Sequence, residues 1–387
     1  MVNDVPYEWI DIQALPRLEQ RQPIVLFGAG NGSRELLRYF QEQGLSPRIL
    51  AVLDNDPTLH GKYFLNIPVL SPAALPSLAP CFVLVTTVSG REAVSQQLAA
   101  QGLRRGRNFE LVGTFPAARS TGNLRLLLHC LRRQGLSAQG WLLHVGPGGF
   151  LGLECGLLSL LGPHGPTGCV SVDAYDFSMQ WPDVTVSLPA YLRARTETLT
   201  LATEFEHDQN VVAGRWDALF QNHQGQCRLD AQRIELRSPF RFSALPLSDA
   251  SVALACSFAV LEHVRSPQRA VEELWRVLRS GGAAVLTIIT RDHRSFGVVD
   301  GYSPISYRKH SPEEWAEINN SKFHQNRLAP FQWRELFEQR GFRLAEYRVL
   351  HHYDAPEQEL AELHPDFRHW APERQREVDC CIVAVKP

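Results

Sequence analysis

Two glycine-rich turns carry the residues whose type and spacing most clearly indicate chemistry. Each follows a short apolar run and precedes a segment with helical spacing, in "IVLFGAGNGSRELLRYF" and in "LLHVGPGGFLGLECG". A helix that begins directly after such a turn points free N–H groups and the positive end of its dipole at a ligand, and glycine allows the ligand to approach the backbone. The small residues of the two turns are Gly28, Gly30 and Ser33 in the first and Gly146, Gly148 and Gly149 in the second.

An acidic residue follows each turn at the same distance. Asp54, with Asn55 beside it, comes 24 positions after Gly30, and Asp173 comes 24 positions after Gly149. Each acid ends the next predicted strand, where a carboxylate can accept both hydroxyls of a ribose. This spacing is typical of nucleotide binding, and by itself it leaves NAD open as the ligand of either turn.

The elements around the first turn predict a small Rossmann-like unit. The apolar runs "PIVLF", "RILAVL" and "CFVLVTT" are typical of buried parallel strands, and each is followed by a segment with helical spacing. This βαβαβα series ends near Phe115. We therefore assign 1–115 to a first domain and 116–136 to a linker and helix.

The series restarts in the remainder of the chain, which we assign to a second domain over 137–387. Apolar strands are predicted at "WLLHVGPGG", "CVSVDAYDF", "VALACSFAV", "AAVLTIIT", "RLAEYRVL" and "DCCIVAVKP". A long polar stretch, about 179–237, is predicted to be an insertion. Gly281 and Gly282, after "EELWRVLRS", are placed to end a helix. The predicted fold class is α/β, with two Rossmann-like units.

Composition narrows the possible functions. The 387 residues have a formal net charge of −2, and no basic block favours a nucleic-acid partner. No uncharged apolar run is long enough to span a bilayer, and "MVNDVPYEWIDIQ" lacks the apolar stretch of a signal peptide. The eight cysteines form no C-x-x-C pair, which is typical of free thiols in a cytoplasmic protein, and the histidine spacing indicates no metal site.

The order of motifs after the second turn resembles the class I S-adenosylmethionine-dependent methyltransferases. The turn and Asp173 are followed by "LPLSDASVALACSFAVLEHV" and then by "EELWRVLRSGG". The turn alone is a modest signal, whereas the combined series is specific, and the resemblance covers about 120–387. It implies a seven-stranded sheet with a final antiparallel strand, and S-adenosyl-L-methionine as the cofactor. NAD is disfavoured here because the later motifs have no role in hydride transfer.

The resemblance also implies which residues surround the cofactor. They are Gly146, Gly148 and Gly149 beside the methionine part, Asp173 at the ribose, Ala174 and Tyr175 beside the adenine, Ser243 and Ala244 at the adenine edge, and Ser257 and Phe258 on the sulfonium side. Two positions depart from the family pattern. His144 stands where the family usually has an acid that contacts the cofactor's amino group, and Arg241, Phe242 and Ser243 replace a segment that often carries Asp. Adenine would then be recognised by the backbone or by Ser243.

Methyl transfer to a hydroxyl needs a group that removes a proton, and histidine suits that role near neutral pH. His293, in "TRDHRSF" after the fifth predicted strand, is the first candidate base, and His263, in "LEHV", is the second. The candidate acceptor residues are Tyr307, His310 and Arg327, whose guanidinium suits a carboxylate, a phosphate or sugar hydroxyls. No N/D-P-P-Y/F sequence follows the fourth strand, which argues against N-methylation of nucleobases or glutamine.

The first unit resembles a narrower group of proteins. Its "LFGAGNGSRELL" and "AVLDNDPTLHGKYFLNIPVLSP" are similar to the small nucleotide-binding domain of acyltransferases that modify UDP-linked sugars, and of related polysaccharide-biosynthesis proteins. This resemblance covers about 22–115. It implies a second nucleotide site, with phosphate at the glycine turn and Asp54 or Asn55 near the sugar or ribose. With three βα repeats, the unit lacks the second half that a nicotinamide cofactor needs. The alternative is a scaffold used for packing or dimerisation.

These expectations combine into a cytoplasmic enzyme that methylates a hydroxyl of a sugar, nucleotide-sugar or glycan precursor. The acceptor class rests on the resemblance of the first unit alone. Two alternatives stay open: a methyltransferase for another small molecule, with the first unit as a scaffold, and a non-catalytic nucleotide-binding or assembly protein. The sequence also leaves a homo-oligomer open.

Overall fold

The computed structural model divides the chain into two compact units. The N-terminal unit comprises Pro6–Pro116 and Asp292–Ser303, and the C-terminal unit comprises Ala117–Arg291 and Pro304–Pro387. The residues that the structure describes are 8–9, 23–42, 44–87, 91–112, 114–115, 117–148, 150–173, 184–223, 226–229, 232–237, 239–240, 242–296, 302–319 and 324–387. Three expected cofactor residues, Gly149, Ala174 and Tyr175, lie outside these ranges.

The N-terminal unit is built on a six-stranded sheet. The strands of the whole unit are β1 (Glu8–Trp9), β2 (Ile24–Phe27), β3 (Ile49–Leu53), β4 (Tyr63–Phe64), β5 (Ile67–Leu70), β6 (Phe82–Val85), β7 (Phe109–Leu111) and β8 (Thr114–Phe115). The helices of the unit are α1 (Asn31–Glu42), α2 (Leu75–Leu78) and α3 (Arg91–Ala100). The sheet has the order β4-β5-β3-β2-β6-β7, in which only β4 is antiparallel to its neighbour, while β1 and β8 form a separate antiparallel pair.

The side chains of β2 alternate between the two faces of the sheet, and both faces are covered by helices. Ile24 and Leu26 lie in one buried cluster with Leu36 and Phe40 of α1. The other face carries Val25 and Phe27, in a second cluster with Val94 and Leu98 of α3. Because both faces are buried, the strand reads as a continuous apolar run rather than as an alternating one.

The C-terminal unit is built on a seven-stranded sheet. The seven strands of this sheet are β9 (Gly140–Val145), β10 (Pro166–Val172), β13 (Ile234–Arg237), β14 (Val252–Phe258), β15 (Leu278–Ile288), β16 (Arg343–His352) and β17 (Glu377–Val385). Two further strands, β11 (Phe220–His223) and β12 (Gln226–Leu229), form a separate antiparallel pair. The helices of the unit are α4 (Ala117–Gln134), α5 (Gly152–Leu161), α6 (Val184–Glu204), α7 (Gln209–Asp217), α8 (Pro267–Val277), α9 (Pro312–Ile318), α10 (Pro330–Arg340), α11 (Glu357–Ala361), α12 (Pro365–Arg368) and α13 (Pro372–Arg376).

The strand order of this sheet is β13-β10-β9-β14-β15-β17-β16, and β17 runs antiparallel to both of its neighbours. The predicted α/β class and the antiparallel final strand are therefore confirmed. Leu143 and Val145 of β9 pack on one face with residues of α8 and α10. Side chains alternate along a strand, so Leu142 and His144 lie on the opposite face. The carboxyl ends of β9, β10 and β14 meet at one edge, and the second glycine turn follows β9 there.

Two local predictions were wrong in this unit. The stretch 179–237 is not only an insertion, because its last residues form β13, the edge strand beside β10. The helix before Gly281 and Gly282 ends at Val277, and both glycines lie within β15, where the pairing with β14 shifts register. Among the described residues, no helix is long and apolar enough to cross a membrane.

Candidate active site

The second glycine turn has one glycine that is required for packing and one that leaves open space. Gly146 has φ +75°, its N–H donates to Val172 O at 2.8 Å, and an added Cβ would lie 2.2 Å from Cγ2 of Val260. Gly148 has φ +69°, and a Cβ added there would meet no atom within 4 Å. The turn therefore packs tightly against the residues after β14 on one side, and is open above Gly148.

Asp173 is directed toward this turn. It follows β10, is 8% exposed, and its Oδ2 accepts the N–H of Gly148 at 3.2 Å. Its backbone is held on both sides, since its N–H donates to Arg237 O at 3.3 Å and its carbonyl accepts the N–H of Phe240 at 2.6 Å. The structure thus brings together two sequence-predicted site residues from neighbouring strands.

The expected adenine-edge segment is held by two residues of α8 that the sequence analysis did not assign to the site. Glu273 is 6% exposed, and its Oε2 accepts the N–H of Leu245 at 2.7 Å. Arg276 donates to Leu245 O at 3.0 Å and to Glu273 Oε2 at 2.8 Å. The hydrogen bond from Arg276 is the main cause that lowers the pKa of Glu273. We call Glu273 and Arg276 the clamp on Leu245. The half-buried Ser243 and the exposed Ala244 directly precede Leu245.

Ser257 and Phe258 end β14 and are buried, at 0% and 3% exposure. The Phe258 ring lies edge-on to the ring of His144, with centroids 6.1 Å apart. The Oγ of Ser257 has no hydrogen-bond partner within the described part of the chain. The expectation that these two residues line the sulfonium side of the cofactor stays a prediction.

His263 lies in a short 3-10 turn, Leu261–His263, just after the segment that packs on Gly146. Its Nδ1 is 2.9 Å from the backbone carbonyl of His324, and its side chain is 28% exposed. A carbonyl oxygen only accepts, so Nδ1 carries the proton and a neutral ring has its lone pair on Nε2. Asn326 holds the same turn, because its Nδ2 donates to Leu261 O at 2.8 Å and its N–H to Glu262 O at 2.7 Å.

His293, the first candidate base, begins the 3-10 turn His293–Phe296 and belongs to the N-terminal unit. Its neighbour Asp292 is fully buried and binds the Arg294 side chain, with Oδ2 2.6 Å from the guanidinium. The Asp292 carboxylate therefore binds Arg294. The role of His293 as the base stays a prediction.

The three expected acceptor residues lie close together, but they differ in exposure. Arg327 is half-buried, and its guanidinium donates to His310 O at 2.6 Å and lies 4.9 Å from the centre of the Phe367 ring. Burial is the main cause that lowers the pKa of Arg327. The half-buried His310 ring stacks on Trp315, at 6.2 Å between centroids.

Tyr307 corrects the sequence interpretation. It is 0% exposed, and its hydroxyl accepts a hydrogen bond of 3.1 Å from Nε of the equally buried Arg308. Its ring contacts Trp315 and Phe367, with centroids 5.8 and 6.4 Å away. Tyr307 therefore supports the acceptor cluster from within the core and offers no face to a ligand.

The first glycine turn is largely closed by its own hydrogen bonds. Asp54 accepts the N–H of Ala29 at 2.7 Å and that of Asp56 at 2.9 Å. Ser33, expected at this nucleotide site, is 0% exposed, and its hydroxyl donates to Gly28 O at 2.6 Å, so it holds the loop together from within.

Two residues at this expected nucleotide site remain accessible to a ligand, one in the turn and one after β3. A Cβ added to Gly30 would meet no atom within 4 Å, so the backbone there faces open space. Asn55 is exposed and pairs its amide with that of Gln97, at 3.0 and 3.1 Å. A nucleotide at this turn would contact the Gly30 backbone and compete with the Asn55–Gln97 pair.

Part of the C-terminal unit matches a known protein family. Residues 223–286 match the family model of a methyltransferase domain. The match spans Ser243, Ser257, His263 and the Glu273–Arg276 clamp. A search of curated proteins gives no match.

Solved structures resemble the chain at low identity. A proposed methyltransferase from Bacillus halodurans is 15% identical, with a TM-score of 0.35, over 67% of this chain and 98% of that one. A proposed sarcosine dimethylglycine methyltransferase from Galdieria sulphuraria is 15% identical, with a TM-score of 0.37, over 68% and 84%. A geranyl diphosphate methyltransferase in complex with S-adenosylmethionine is 12% identical, with a TM-score of 0.34, over 69% and 85%.

Similarity at this level carries no argument about function, so the assignment rests on the family model. The residues also suit the implied cofactor, because the turn is open above Gly148 and Asp173 lies at its rim. Residues 223–286, within the C-terminal unit, therefore carry a methyltransferase domain.

Proposed function

We propose that the protein transfers a methyl group to a hydroxyl of a sugar, nucleotide-sugar or glycan precursor. The observation that carries this proposal is the His263 turn: its imidazole has Nδ1 fixed by the His324 carbonyl, beside the Val260–Gly146 contact. A neutral ring held in this way has its lone pair on Nε2, which lies 3.9 Å from the Glu262 carboxylate. Transfer to a hydroxyl requires a base of this kind.

The donor site of the proposal is the open space above Gly148. Asp173 would bind the ribose hydroxyls, exchanging its bond to the Gly148 N–H for bonds to the ligand. Ser243 and Ala244 would border the adenine, kept in place by Glu273 and Arg276. When bound, S-adenosylmethionine supplies a methyl group on a positively charged sulfur, so the protein needs only to orient the acceptor and take its proton.

His263 is the base that the geometry favours over His293. Asn326 fixes the backbone of the His263 turn, because its Nδ2 donates to the carbonyls of Leu261 and Val264. Holding a base in one orientation is worth orders of magnitude in rate. Asn326 would therefore act as a positioning residue for the proton transfer.

Arg327 supports an acceptor that carries an anionic group. Among the described residues, its guanidinium donates to a backbone carbonyl and not to a carboxylate. A half-buried guanidinium of this kind is suited to a phosphate or carboxylate, which it can bind with two parallel hydrogen bonds. The diphosphate of a nucleotide-sugar has this chemistry.

The N-terminal unit is the second support for the acceptor class, through its resemblance to sugar-modifying proteins. Gly30 leaves space for a phosphate above α1. The closed state of Asp54 and Ser33 favours the alternative, in which the unit is a scaffold and the acceptor is another small molecule. We also propose a cytoplasmic location, since the seven cysteines whose side chains are described are free thiols.

The experiment combines binding with turnover. Calorimetric titration with S-adenosylhomocysteine is expected to give one site per chain, and Asp173→Ala to weaken it at least about tenfold, the size of one charge-assisted bond. A panel of nucleotide-sugars, free sugars and unrelated hydroxyl compounds is then assayed for product formation. Turnover confined to compounds without a sugar would contradict the acceptor class, and absence of any donor binding would contradict the site.

A further inference from the structure

A buried network of three side chains lies beneath the Gly146–Gly148 turn. Glu154, in the first turn of α5, is 0% exposed, and its Oε1 lies 2.6 Å from Nδ1 of His144. The same oxygen accepts the hydroxyl proton of Ser171, which is also 0% exposed. His144 precedes Gly146 by two residues and keeps 5% exposure. The second oxygen of Glu154, Oε2, has no hydrogen-bond partner within the described ranges.

The surroundings of Glu154 restrict where protons can be. His144 is its ion-pair partner among the described residues. The neighbouring titratable groups are the thiols of Cys155, Cys169 and Cys256, whose pKa values are raised first by burial and then by the Glu154 charge. These thiols stay neutral and provide no compensating charge. A lone carboxylate in such a place is strongly disfavoured, by several kcal/mol.

Two arrangements avoid a lone buried charge. In one, His144 is protonated on both nitrogens and forms an ion pair with Glu154. In the other, Glu154 is protonated and donates to Nδ1, so the neutral ring has its proton on Nε2. The third arrangement, a neutral ring that donates from Nδ1 to an ionised Glu154, leaves the negative charge uncompensated. Both favoured arrangements place a hydrogen on Nε2.

We propose that His144 presents this Nε2–H to the amino-acid part of the methyl donor and binds its carboxylate, with Glu154 as the positioning residue that fixes the proton. The inference rests on the proposed placement of the donor over the turn. S-adenosylmethionine carries a carboxylate and an ammonium group, and an N–H donor attracts the first and repels the second. His144, at the end of β9, would therefore bind a negatively charged group of the donor, whereas an acid at this position would bind a positively charged one.

Binding of matched analogues tests which group is recognised. The purified full-length protein is titrated with S-adenosylhomocysteine, with its analogue lacking only the carboxylate, and with its analogue lacking only the amino group. We expect loss of the carboxylate to weaken binding at least about tenfold more than loss of the amino group. His144→Gln should abolish this difference, whereas Ser159→Ala, a buried polar change on the same helix, should leave it intact. Equal losses, or a larger loss without the amino group, would overturn the proposal.

The proton itself can be observed by nitrogen NMR of histidine-labelled protein, with His144→Gln used to assign the signal. We expect Nε2 of His144 to carry a proton, as in both favoured arrangements, and Glu154→Gln to give mixed tautomers. An unprotonated Nε2 in the unaltered protein, or an unchanged signal in Glu154→Gln, would overturn the assigned roles. This readout does not need a ligand, so it separates failure of this inference from failure of the donor placement.

Discussion

Replacing Gly148 by alanine tests where the methyl donor lies. Gly148 has φ +69°, and an added Cβ would meet no protein atom within 4 Å. An L-residue in this left-handed region costs about 1–2 kcal/mol, and without a clash that is the whole cost to folding. The new methyl group would, however, enter the space that the proposal gives to the donor. We therefore expect binding of S-adenosylhomocysteine to fall at least about tenfold, or about 1.4 kcal/mol.

Two other glycines separate backbone strain from loss of ligand space. Gly281 has φ +73° and is equally open, but it lies near the start of β15, so Gly281→Ala should carry the same strain and leave donor affinity unchanged. Gly146→Ala would place Cβ 2.2 Å from Val260. Overpacking adds to the strain there, and we expect a loss of about 2–5 kcal/mol in the free energy of unfolding.

The assay pairs urea unfolding with calorimetric titration for each variant. The reasoning predicts a small stability loss and a large affinity loss for Gly148→Ala, and a small stability loss alone for Gly281→Ala. A folded Gly148→Ala protein that binds the donor product as tightly as the unaltered protein would refute the placement.

Three further substitutions test the acceptor side and the clamp. His263→Asn should lower kcat by about 10²–10⁴-fold and leave donor affinity unchanged. Product formation measures kcat, and the exposed His369→Asn is the control. An undiminished kcat would remove His263 as the base. Arg327→Gln should raise KM for an anionic acceptor about tenfold or more, because one charged hydrogen bond is lost. The exposed Arg343→Gln should leave KM unchanged. Equal KM values for Arg327→Gln and the unaltered protein would count against an anionic acceptor. The lowered pKa of Glu273 means that its ionised form stabilises the fold above its unfolded pKa, and that this contribution is lost as pH falls through the folded pKa. Glu273→Gln should therefore reduce the free energy of unfolding by about 1–3 kcal/mol at about pH 7. In urea titrations this difference should shrink as pH falls through the folded pKa of Glu273; a pH-independent difference would contradict a role for the charge.

The sequence predicted the parts of the fold that depend on local pattern. Buried parallel strands are continuous apolar runs, so β2, β9 and β14 were recognisable without any partner. The glycine turns and their acids were recognisable because positive φ and close backbone approach demand one residue type at fixed spacing. The strand β13 was missed because it lies at the edge of the sheet and carries Glu235 and Arg237, an ion pair on a short polar segment.

Other site features depend on contacts between distant segments. Asn326 and His324 hold the His263 turn from more than 60 positions away, and backbone carbonyls leave no trace in the sequence. Tyr307 and Ser33 have residue types that suit a ligand, but their hydroxyls are used by Arg308 and Gly28 inside the protein. Glu273 and Arg276 had a usable signal, since they lie three residues apart in the motif that indicated the family.

The most direct measurement of the central claim is a crystal structure of the protein with S-adenosylhomocysteine. We expect the ligand above Gly148, with its ribose hydroxyls within about 3 Å of the Asp173 carboxylate. That carboxylate should no longer accept the Gly148 N–H. A ligand bound elsewhere, or an Asp173 that keeps its bond to Gly148 while the ribose lies out of reach, would contradict it.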